Sequence, residues 1–153
     1  MTPISIYQAA LDVVSEAVLA GDFAVYAAMI DLPYLVLTDS AQLLITREAD
    51  LRPTFDALHL GLKARGVHHY KRLARQADYV ARGRIEGWHF THVLSERDFA
   101  VPSRSARQVI VHRDGRWHFS EAQYPIAADR WPLSDHMLFA DPLRTLRPEG
   151  AIP

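Results

Sequence analysis

The dominant spacing of apolar residues changes at Gly66, and that switch limits the folds open to the chain. Before Gly66 apolar side chains recur with the helical period except in one short hairpin; after it they alternate. Helices first and strands after describe an α+β domain, with the helices gathered on one face of a sheet. A length of 153 residues suits one such domain with its own core.

Thr2 is placed to cap a helix whose first residue is Pro3, since a first-turn proline lacks only a donor that the turn would not use. Tyr7, Leu11, Val14 and Val18 give that helix, residues 3–20, one apolar face, and Gly21 ends it. Asp22 caps a short second helix through Met29, with Phe23, Tyr26, Ala27 and Ile30 as its apolar side; Pro33 forbids its continuation. "YLVLTD" and "QLLIT" predict a hairpin over 34–38 and 42–46. With Asp50 as cap, Pro53 falls in the first turn of a third helix, whose buried stripe is Leu51, Phe55, Leu58 and Leu62 and whose end is Gly66. "HHYKRLARQADYVARG", "RIEGWHFTHVLSERD", "SARQVIVHR" and "RWHFSEAQYP" are strand candidates, the first two long enough to demand twist or bulges. Asp114-Gly115 joins the last pair as a hairpin.

Residues 1–125 read as one domain. Residues 126–153 differ: five of the chain's nine prolines lie from Pro125 to Pro153, yet Trp131, Leu133, Met137, Leu138 and Phe139 are there too. An extended proline-rich arm, packed on its own domain or on a partner subunit, is expected. Seventeen basic against 18 acidic residues give no reason to expect nucleic acid. The absence of cysteine excludes disulfides, thiolate nucleophiles and cysteine-based zinc sites. No apolar run is long enough to cross a membrane, and the N-terminus reads as a cytoplasmic start. No G-x-S-x-G, Walker or dinucleotide motif is present, and no cofactor or metal is expected.

"AGDFAVYAAMI" after an amphipathic helix, the pair "YLVLTDSAQLLIT", the helix to Gly66 and the closing "DGRWHFSEAQYP" together resemble the nuclear transport factor 2-like superfamily, and within it the SnoaL-like proteins. The resemblance covers about residues 4–125. It implies a cone in which a bent antiparallel sheet wraps the third helix and leaves a cavity at the wide end, often as a homodimer packed through the sheet's outer face. Members include isomerases, cyclases, dehydratases, hydrolases and binding domains, so the fold leaves chemistry open. Ketosteroid isomerases share an A-G-D turn; the positions here at the spacing of their tyrosine and aspartate are Val14 and Thr38, and neither can donate or abstract the proton.

With Asp114 and Gly115 as turn residues, Ile110 pairs with Phe119 and Gln108 with Glu121. One face then carries Gln108, Ile110, His112, Trp117, Phe119 and Glu121, expected to be concave; the other carries Val109, Val111, Arg113 and His118, a semi-polar surface suited to a homodimer. Glu121 among apolar neighbours is the candidate general acid or base, or else a partner of Gln108 or of an arginine. His89 and His92 point to opposite faces of their strand, so they are no metal pair by themselves. Trp88 and Phe90 could line the pocket or the core, and His59 stands at the edge of the third helix's stripe. Three functions follow: a binding module for a small, largely apolar molecule among Tyr34, Phe55, His59, Trp88, Phe90, Gln108 and Phe119; an acid-base cyclase, dehydratase or isomerase using Glu121 with His89 or His92; or a dimeric interaction domain.

Overall fold

The computed structural model describes residues 1–95 and 105–131. Helices α1 (Pro3–Ala20), α2 (Phe23–Ala28) and α3 (Arg52–Ala64) pack on one face of six strands: β1 (Ile30–Leu37), β2 (Gln42–Ile45), β3 (Val67–Ala81), β4 (Arg84–Ser95), β5 (Ala106–Arg113) and β6 (Arg116–Gln123). The strands run β2-β1-β6-β5-β4-β3 across the sheet. All neighbours are antiparallel except β1 and β6, which are parallel. The expected all-antiparallel sheet is therefore mixed. The β1–β6 pairing joins distant parts of the chain, which local turn signals do not reveal.

The N-terminal elements follow from local chemistry. Thr2 Oγ1 accepts the Ser5 N–H at 3.3 Å, and Gly21 closes α1 at φ 77°, where a Cβ would be strained. Asp22 accepts from Val25 N at 3.2 Å and starts α2. The strand expected after Pro33 begins earlier, at Ile30. Proline is tolerated inside it because the β1–β6 ladder is interrupted between Ile30 and Leu35. Asp50 does not cap α3. It lies in a 3-10 turn, Glu48–Leu51, ion-paired with Arg47 at the surface, and α3 starts at Arg52 without a side-chain cap. Pro53 still falls in the first turn, and Leu51, Phe55, Leu58 and Leu62 are all buried.

Edge strand β3 is sealed by α1: the Gln8 amide donates to Arg72 O and accepts from Ala74 N, both at 2.8 Å. One side chain thus satisfies two backbone groups that an edge would leave open. The β3–β4 ladder slips in register at three places, and each slip bends the strands so that the sheet curls round the helices. Gly87 lets α1 approach: a Cβ there would lie 2.5 Å from the Tyr7 ring.

The terminal hairpin turns at Asp114 (φ 53°) and Gly115 (φ 76°), and its register is the expected one as far as Ile110–Phe119. Beyond that, Val109 pairs with Glu121 and Gln108 with Ala122, because Ser120 forms a bulge. One extra residue reverses the parity of everything after it. Phe119, Ala122 and Tyr124 consequently face the core, while Glu121 faces the outside of the sheet.

Candidate functional site

The concave side of the sheet and α1 to α3 enclose an interior lined by Tyr26, Tyr34, Leu58, Phe119, Tyr124 and neighbouring aliphatics, with Thr54, Arg72 and Gln108 as its other polar members. Trp131, half-buried, completes the lining and lies 6.0 Å from the Tyr124 ring. The open space is ≈ 10 Å³, room for about one water. The cavity that the resemblance implies is narrow here, because tyrosines and Trp131 occupy most of it.

A polar network runs through this interior. Arg72 Nε donates to the Tyr70 hydroxyl at 3.1 Å, and its guanidinium lies 5.5 Å from the Tyr70 ring centre. The Tyr34 hydroxyl donates to Gln108 Oε1 at 3.3 Å and shares a hydrogen bond with Tyr124. Burial raises the pKa values of Tyr26, Tyr34 and Tyr124 above that of an ordinary phenol, so these hydroxyls remain protonated.

Deeper against α1, the Tyr7 hydroxyl accepts from the Gln108 backbone N–H and stands 2.6 Å from His89 Nδ1. That separation is a direct hydrogen bond between the two side chains. Burial first, and the Arg72 charge second, push the His89 pKa well below its ordinary value. His89 is a neutral core histidine, and Tyr7, whose pKa is raised by burial, is its hydrogen-bond partner.

The other sequence candidates are dispersed. Tyr34, Gln108 and Phe119 line the interior as expected. Phe55 is core, packed on Phe23 and Tyr26 at 5.3 and 5.2 Å. His59 is not a pocket residue. Its ring lies where a Cβ on Gly21 would be, and its Nδ1 donates to Val18 O at 2.9 Å, closing the end of α1. Ile85, Gly87, His89, Thr91 and Val93 are the buried face of β4, so Trp88, Phe90 and His92 point outward. Trp88 is 38% exposed, Phe90 sits beneath Arg75, and His92 meets His69 edge-on at 5.5 Å. Glu121 accepts from both terminal nitrogens of Arg107, which also approaches Glu86 at 3.6 Å. The bulge, then, puts Glu121 on the opposite side of the sheet from His89, with an arginine as its partner.

Val109 and Val111 share that outer face, yet both are buried within the single chain, whereas Arg113 is exposed and paired with Asp31. His118 is half-buried, its Nδ1 without a hydrogen-bond partner. Among the described residues no group of three or more His, Asp or Glu is placed to hold a metal. No helix among them is long and apolar enough to cross a membrane. Residues 96–98 of the predicted fourth strand and 132–153 of the arm, including Leu133, Met137, Leu138 and Phe139, lie outside the described residues.

Arg72, Tyr70, Thr54 and Tyr124 were missed by the sequence reading. Following the alternation from Tyr70 through Arg72 to Ala74 would have flagged an arginine on a buried face.

A curved sheet closed over three helices, with Arg72 and Gln108 turned inward from its strands, defines an α+β cone. Solved structures place that cone more narrowly, as the nuclear transport factor 2-like, cystatin-like fold. An NTF2-like protein of unknown function from Shewanella oneidensis superposes with a TM-score of 0.61 at 10% identity, covering 80% of this chain and 98% of its own. An NTF2-like protein with a cystatin-like fold from Novosphingobium aromaticivorans gives 0.59 at 13% identity, covering 86% and 89%. A provisionally assigned ketosteroid isomerase from Shewanella frigidimarina gives 0.58 at 13% identity, covering 75% and 90%. Identities this low carry the fold and no chemistry. No family model and no curated protein matches the sequence.

Proposed function

We propose that the chain is a binding module that holds a small, largely apolar molecule in the cone, rather than an acid-base enzyme. One observation carries this reading: no carboxylate or histidine is among the described side chains that line the interior. Proton transfer needs a group that changes charge near neutral pH within hydrogen-bond reach of the substrate. Glu121 and His92 are on the wrong side of the sheet, and the Nδ1 of His89 is engaged by Tyr7. What remains is an apolar and tyrosine-lined wall with a few convergent polar groups, the usual make-up of a ligand site. Because the free space is only ≈ 10 Å³, a ligand enters by displacing Trp131.

The three tryptophans report on this separately, since each indole N–H gives its own signal in a nitrogen-proton correlation spectrum. Titrating a panel of small aromatic and alicyclic molecules into the full chain should move the Trp131 signal saturably and leave those of Trp88 and Trp117 in place. Movement confined to Trp117, which borders an open surface groove with Tyr79 and His112, or no saturable movement at all, would refute the proposal.

A further inference from the structure

We infer that the interior of the cone is a receptor for one carboxylate, the head group of a small monocarboxylic acid whose apolar body takes the place of the Trp131 indole. The inference rests on the binding function proposed above, and two separate observations carry it.

The first is a charge without a counter-charge. Arg72 is 5% exposed and lines the interior, and among the described residues no carboxylate stands against it. Arginine stays ionised at any pH the protein meets, and an unpaired ion withdrawn from water is among the most unfavourable burials in a fold. The Tyr70 hydroxyl and ring face offset only part of that. A planar guanidinium fork is the natural mate of the two oxygens of a carboxylate.

The second is a hydroxyl without a partner. Thr54, on α3, lines the same interior at 4% exposure, and its Oγ1 makes no hydrogen bond. Buried hydroxyls are nearly always satisfied, so one left open in an interior that also holds a cation is a donor awaiting an acceptor. Arg72 is the sole charged residue among those described in the lining, which fits a single negative charge rather than a phosphate dianion. Leu58, Ile45 and Phe119 in the same lining fit an apolar body.

Benzoate and its uncharged counterpart benzamide, titrated calorimetrically into the full chain, test this. Wild-type protein should bind benzoate at least about tenfold more tightly than benzamide, a difference of ~1.4 kcal/mol. Arg72→Met should abolish the preference. Thr54→Val, which keeps shape and removes only the hydroxyl, should weaken benzoate several-fold and leave benzamide unchanged, so the test survives even if Arg72→Met fails to fold. Equal affinity for the two ligands, a preference that persists in both variants, or no saturable binding of either benzoate or phenylacetate would overturn the inference. Should benzamide bind as well as benzoate and still move the Trp131 indole signal, the binding function stands and the carboxylate falls. If neither moves it, both fall together.

Discussion

Gly87 and Tyr7 are shaped to one another. The ring occupies the volume that any side chain at position 87 would need, with 2.5 Å left to a Cβ. Overpacking of this kind costs about 1–3 kcal/mol. Gly87→Ala should therefore lower the thermal midpoint by several degrees, as about 1 kcal/mol moves a domain of this size by ~2–4 °C. A midpoint within a degree of the wild type would mean that α1 does not approach β4 as closely as described. Glycine inside a strand is compatible with a close approach, but nothing local in "RIEGWHF" points to Tyr7, eighty residues away. His89 makes a second residue-scale prediction. Its folded pKa lies below the ordinary histidine value of 6.5, so the unfolded chain takes up a proton that the folded chain refuses. Stability from this group is intact above that pH and falls as the pH drops below it, by up to about 1.4 kcal/mol per pH unit. Thermal unfolding measured from about pH 7.5 down to 5 should show a steeper loss in wild type than in His89→Gln, which keeps a hydrogen-bonding group for Tyr7 but cannot titrate. Parallel curves would show that His89 is not held neutral.

At the scale of the element, the terminal hairpin shows where pattern reading holds and where it stops. The Asp114-Gly115 turn, the pairing through Ile110–Phe119 and the capping of α1 by Thr2, Pro3 and Gly21 were legible, because each depends on residues close in sequence. The bulge at Ser120 was not, since no glycine marks it and it arises where β6 must serve β5 and β1 at once. That one residue moved Glu121 from the expected pocket to the outer face. Trp88 and Phe90 likewise lie on the outer face rather than in pocket or core, since alternation along β4 does not say which face is inward. Glu121→Gln should accordingly weaken the pair with Arg107, costing about 1–2 kcal/mol at this partly buried position. It should leave the affinity for any cone ligand unchanged in the calorimetric titration. A tenfold loss of ligand affinity would return Glu121 to the site.

For the whole molecule, the cone and its order of elements could be read from the sequence, whereas the contents of the cone could not. Tyr70, Arg72, Tyr34, Gln108, Tyr124 and Thr54 come from three strands, one helix and the segment that follows β6; they meet only when the sheet has curled. Trp131, at the start of the expected arm, is part of that interior rather than an appendage. Trp131→Ala should lower stability modestly, by about 1–2 kcal/mol for a half-buried indole, and should tighten benzoate binding, because the ligand no longer has to expel the ring. Weaker binding in that variant would make Trp131 a wall of the site instead of its occupant. The most direct measurement is a crystal structure of the full chain grown with benzoate. The account predicts carboxylate oxygens within about 2.7–2.9 Å of Arg72, one of them also accepting from Thr54, with the Trp131 indole displaced. Trp131 still seated over a water, with benzoate absent from the cone or lodged in the groove beside Trp117, would contradict it.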